Sequence, residues 1–90
     1  MNFKDTGIPS TLKVASKSGA GTVISAVSGK KIVIMDVIAS AATTIKDGSS
    51  GSNSMLMQAG IASKLNINIG GAGAEVYSTA GDISITYYIL

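Results

Sequence analysis

Residues 32–39, "IVIMDVIA", constrain this chain more than any other stretch. Successive side chains of a strand point to opposite faces. One alternate set here is Val33, Met35, Val37 and Ala39, and the other is Ile32, Ile34, Asp36 and Ile38. The first set is wholly apolar and is expected to face the domain's own core. The second is interrupted only by Asp36 and is too apolar to be left wet along a whole strand. Another segment of the chain or a neighbouring subunit must cover it. The neighbouring subunit is the expectation, which marks Ile32, Ile34, Asp36 and Ile38 as a subunit contact. Asp36 would then sit near the rim of that contact or pair with a Lys.

The remaining sequence has a regular punctuation. Short β-prone runs are separated by Gly- and Ser-rich breaks at intervals of about 8–12 residues, the pattern of an all-β sandwich or barrel. The runs are residues 11–16, 22–27, 30–39, 43–47, 55–58, 64–69, 74–78 and 82–90. "KLNINI" at 64–69 shows the clearest alternation, with Leu65, Ile67 and Ile69 inward and Lys64, Asn66 and Asn68 outward. In the last run Ile83, Ile85, Tyr87 and Ile89 share a face, and Tyr88 points the other way. Ala-rich residues 37–44 are the one place for a helical turn, but β-branched neighbours and missing caps argue against it. The fold class is therefore all-β: a small single-domain β-sandwich, jelly-roll-like, with about eight strands. The order of those strands does not follow from the sequence.

Ninety residues make one small domain. The chain has no Cys, so neither a disulfide nor a thiolate metal site can staple it. Small unstapled domains often gain stability by oligomerising, and a homo-oligomer is expected. Residues 1–10 read as an N-terminal arm, and residues 11–90 as the sandwich. The arm contains Gly7 and Pro9 and has no periodicity. Phe3 and Ile8 would anchor it on a neighbour, and Lys4 would meet an acidic partner. Lys30 and Lys31, the only adjacent basic pair, are the next candidates for such a contact.

The chemistry of catalysis is poorly supplied. The chain has no His and no Cys, which removes the usual bases and nucleophiles. Its carboxylates, Asp5, Asp36, Asp47, Glu75 and Asp82, are dispersed singly. No enzymatic activity, cofactor or metal is expected. "GGAGAE" at 70–75 lacks the Lys-Ser/Thr of a phosphate-binding loop. "DGSSGSN" at 47–53 resembles a calcium loop only superficially, because Asp47 is its one carboxylate. Seven scattered Lys, no Arg and a net charge of +2 do not make a nucleic-acid footprint. The longest apolar run, 32–42, is too short to span a bilayer and contains Asp36. The start lacks the apolar core of a signal peptide.

Two stretches carry a resemblance. "GKKIVIMDVIASAATTIKDGSSGS" and the terminal "GDISITYYIL" resemble a family of small tailed-phage virion proteins. The shared plan is a Gly-Lys-Lys strand opening, an Ala/Ser bend, a short strand, a Gly/Ser loop and a Gly-led last strand holding a Tyr. It covers about two thirds of the chain, from Val27 onward. The resemblance implies a β-sandwich that assembles symmetrically on a phage particle. The implied role is a trimeric decoration, or cement, protein on the capsid surface, made in the host cytoplasm and partnered by itself and by the major capsid protein or another virion protein. The alternative is a tail, collar or fibre-associated component, structural or receptor-binding, on the same fold. No nucleic-acid or membrane partner is implied.

Overall fold

Strands form where β-branched residues run between the Gly- and Ser-rich breaks. The computed structural model describes residues 11–90, and it contains nine strands. They are β1 (Lys13–Ser18), β2 (Gly21–Ile24), β3 (Ile32–Ala39), β4 (Thr43–Lys46), β5 (Ser54–Met57), β6 (Gly60–Ala62), β7 (Ile67–Asn68), β8 (Val76–Ser78) and β9 (Asp82–Ile89). All pairings are antiparallel. One sheet has the order β1-β9-β3-β6, with β7 also paired to β3, and the other has the order β2-β8-β4-β5.

The connections explain this order. β1 passes to β2, β3 to β4, β5 to β6 and β8 to β9 through only two or three residues. Each short link carries the chain from one sheet to the other, so each strand lies over its chain neighbour. All four corners gather at one end of the sandwich. The longer loops, 25–31, 47–53 and 69–75, gather at the opposite end. This is the jelly-roll arrangement. Its core is aliphatic: Ile24, Ile32, Ile34, Val37, Ala39, Ile45, Met57, Ile69, Val76, Ile83 and Ile85. Burying an Ile or Val fully contributes about 1.5–3 kcal/mol.

The doubly apolar strand is resolved by a bulge. Ile34 lies opposite Tyr87 and Asp36 opposite Thr86, so Met35 is the extra residue against an unbroken β9. A bulge of this kind shifts the alternation by one. Before it, Ile32 and Ile34 face inward, opposite Ile89 and Tyr87; after it, Val37 and Ala39 do, opposite Ile85 and Ile83. Two expectations are thereby corrected. Ile32 and Ile34, at 1% and 0% exposure, belong to the domain's own core and not to a subunit contact. Met35 is half-buried and lies outside that core. Val33 is buried too, but on the outer face. There it lies between Tyr88 of β9 and Asn68 of β7, and the Tyr88 hydroxyl reaches across β3 to donate to Asn66 Oδ1 at 3.1 Å. The chain's own residues cover the outer face at this point.

The edge strand beside the bulge is correspondingly broken. β6 and β7 occupy a single position along β3, interrupted at 63–66. Lys64 and Asn66 take left-handed φ values of 57° and 49°, so the expected continuous strand over 64–69 shrinks to Ile67–Asn68. The detour is held by the Leu65 N–H donating to the Met35 carbonyl at 2.8 Å and the Lys64 N–H donating to Asp36 Oδ1 at 3.0 Å. The inward assignment of Leu65, Ile67 and Ile69 survives, since all three pack in or against the core. β6 forms within "AGIAS", where the sequence pattern predicts no strand.

Candidate functional site

The loop end collects the residues for which the sequence suggested contacts. β1 begins there, because Lys13 pairs with Tyr87 near the end of β9. Lys31 and Leu90 exchange backbone hydrogen bonds of 3.0 and 2.9 Å, which places the start of β3 beside the end of β9. The exit toward residues 1–10, the last residue and the Lys30-Lys31 pair therefore share one end of the sheet. Both lysines are exposed. Leu12, Val27 and Leu90 are exposed apolar side chains of the same end. The Lys30 N–H donates to the Val27 carbonyl at 3.0 Å, and the Gly73 N–H donates to the Lys30 carbonyl at 2.7 Å. These bonds tie the lysine turn to the 69–75 loop. Phe3, Lys4 and Ile8 lie outside the described residues.

Behind this basic and apolar rim, the three loops enclose a shallow depression of about 400 Å³. Asp47, Ser49, Ser50 and Glu75 supply its polar groups, and Gly48, Gly51 and Gly73 its backbone. Asn53 Nδ2 donates to Asp47 Oδ2 at 3.0 Å, and Thr22 Oγ1 donates to Glu75 Oε2 at 3.0 Å. Asp47 Oδ1 is shut in without a hydrogen-bond partner. Gly51 packs against that oxygen, since a Cβ added there would collide with it, and a Cβ added at Gly70 would collide with the Asp47 Cβ. Gly70 also has a φ of +90°, so it is glycine for two reasons. Among the described residues, no three acidic, His or Cys side chains converge as a metal cage would require.

The outer face of the β1-β9-β3-β6 sheet holds a second depression, next to the corners, with Ser16, Ser18, Ser40 and Ser84 on its walls. Ser16 and Ser84 bond each other at 2.7 Å. A serine nucleophile needs an adjacent base, and the charged groups lining this depression are Lys17 and Asp82. At the corner end, Thr43 Oγ1 accepts from the N–H groups of Thr79 and Ala80, both at 3.2 Å, and bonds the buried Ser78 hydroxyl at 2.9 Å. This cluster fastens the β8–β9 corner to β4 and has a structural role.

Of the four residues expected at a subunit contact, only Asp36 and Ile38 remain on the outer face. Asp36 is committed to the Lys64 amide, and Ile38 stands opposite Ile61 of β6. Sequence reasoning passes over Leu56 and Ile61, which are the most exposed large apolar side chains among the described residues. For Leu56 the signal was present: if Met55 and Met57 fill the core, alternation turns Leu56 outward. Comparison of the chain with protein-family models, with curated proteins and with solved structures found no match.

Proposed function

We propose that this protein is a structural component of a phage virion, a trimeric decoration protein that binds the capsid surface by its loop end. The observation that carries the reading is the convergence at that end of the exit toward residues 1–10, the exposed Lys30-Lys31 pair and the apolar Leu12 and Leu90. A basic and apolar rim fits an acidic protein surface with an apolar recess, and charge complementarity of that kind guides docking and register. Phe3, Lys4 and Ile8 would extend the contact, with Pro9 limiting the conformational freedom lost on docking. The jelly roll supports the reading as a rigid scaffold presenting loops at one end, as does a chain lacking His and Cys. The partners are further copies of the chain and the major capsid protein or another virion protein.

The test is re-addition of the protein to purified particles stripped of it. Deletion of residues 2–8, or Lys30→Glu with Lys31→Glu, should weaken binding while leaving the melting transition nearly unchanged. Undiminished binding by both variants would overturn the loop-end assignment. Recovery of the chain only in tail fractions would replace the decoration reading with a tail or collar one.

A further inference from the structure

The aspartates of the chain are Asp5, Asp36, Asp47 and Asp82, and only Asp47 is followed by glycine. An aspartyl carboxyl can be attacked by the backbone nitrogen of the next residue, and close approach of that backbone is easiest where the next residue has no Cβ. After Asp36 and Asp82 come Val37 and Ile83, β-branched residues inside β3 and β9, strands that are paired on both sides. Asp5 lies outside the described residues. At Asp47 the chain has left β4, and among the described residues the Gly48 N–H finds no acceptor. The Asp47 carboxyl carbon and the Gly48 nitrogen lie 2.7 and 3.0 Å from one point, the place that a Cβ on Gly51 would take. The carboxyl group and the nitrogen that would attack it thus border the same space, kept free of a side chain by Gly51. Asp47 is also lightly fastened. Its N–H donates to the Asn53 carbonyl at 3.3 Å, longer than most such bonds. Oδ2 accepts one exposed bond from Asn53, and Oδ1 has no partner. Water replaces an exposed bond of this kind at little cost.

We propose that Asp47 is a site of spontaneous backbone modification, isomerising to isoaspartate through a succinimide closed by the Gly48 nitrogen. The nitrogen attacks Cγ of the protonated carboxyl, and the amide proton and the carboxyl hydroxyl leave as water. The new bond between Cγ and the nitrogen closes the ring. Water then opens the ring at either carbonyl. Opening at Cγ restores aspartate. Opening at the former main-chain carbonyl breaks its bond to the Gly48 nitrogen, and the chain thereafter runs through the side-chain carbons. No oxidant, reductant or cofactor is consumed. In the product, the Cβ that packs against Gly70 is a backbone atom, and the free carboxylate has moved away from the Asn53 amide. The 47–53 loop loses its fastening to the 69–75 loop, while the aliphatic core is untouched. The inference does not depend on what the loop end binds.

The test holds the folded protein, and the same chain unfolded in urea, for weeks at body temperature in mildly acidic buffer. Peptide mapping with electron-transfer fragmentation then locates isoaspartate. Isomerisation leaves the mass unchanged, which separates it from deamidation of the nearby Asn53. The expected result in the folded protein is isoaspartate at position 47 at severalfold the level found at 36 or 82. Gly48→Ala should lower the total severalfold; nothing lies within 4 Å of a Cβ placed there, and circular dichroism checks the fold. Asp47→Glu, whose longer side chain closes a ring far more slowly, should lower the total in the same way and serves if Gly48→Ala disturbs the loop. In the modified fraction the amides of Asp47 and Gly51, which bond within the loop, should exchange hydrogen severalfold faster, and that of Ile45 at an unchanged rate. Isoaspartate confined to the unfolded chain, no more of it at 47 than at 36 or 82, or an undiminished total in the folded variants would overturn the site. Modification at 47 with unchanged exchange would overturn the loosening of the loop.

Discussion

Replacing Ile34 and Met35 separately by Ala interrogates the bulge in β3. Ile34 is 0% exposed and packs in the aliphatic core opposite Tyr87. Truncating a buried Ile to Ala removes its transfer free energy and leaves a cavity, at a cost of about 2–5 kcal/mol. A domain of this size has a total stability of about 5–15 kcal/mol. At about 4–8 °C per kcal/mol, the melting temperature should fall by at least about 8 °C. Met35 is half-buried, outside the core cluster, and is held chiefly by its backbone carbonyl, which an Ala would keep. Its truncation should cost about 1 kcal/mol or less. Thermal melts followed by far-ultraviolet circular dichroism measure both. A carboxylate sharpens the contrast: Ile34→Asp should unfold the domain, because the buried charge has no partner, and Met35→Asp should remain folded. If Met35→Ala proves as costly as Ile34→Ala, β3 alternates without a bulge and the inward and outward sets are wrongly assigned.

Two further substitutions test local arguments. Thr43→Val keeps the shape but removes the oxygen that accepts from Thr79 and Ala80 and bonds Ser78; it should lower stability by about 1–3 kcal/mol in urea titrations. Gly70→Ala forces a Cβ into Asp47 at a φ of +90° and should cost more than about 1 kcal/mol, read by the same titration.

The parts of the fold legible in the sequence were those where only one face is apolar. The last strand alternates cleanly, so Ile83 and Ile85 were placed inward and Tyr88 outward, as they stand. The Gly- and Ser-rich breaks separated the main strands because a chain turns most readily there. β3 was misread at its first half because both alternate sets are apolar, and hydrophobic pattern alone then cannot register a one-residue shift. Only its pairing with the unbroken β9 reveals that Met35 is the extra residue. The break at 63–66 was hidden for a related reason: Lys64 and Asn66 point outward whether the backbone is extended or left-handed. β6 is three residues long and starts with Gly, too short for a periodic signal. Strand order depends on pairings distant in sequence, such as β1 with β9. Lys30 and Lys31 are visible in the sequence as a basic pair, but Leu90 and the start of β1 stand beside them only once the sheet has formed.

A three-dimensional reconstruction of purified particles tests the central claim most directly. The account predicts copies of the jelly roll on the capsid shell in groups of three. Lys30, Lys31 and Leu90 should face the shell. A head without this protein, or sandwiches seated on their corner end with the three long loops in solvent, would contradict it.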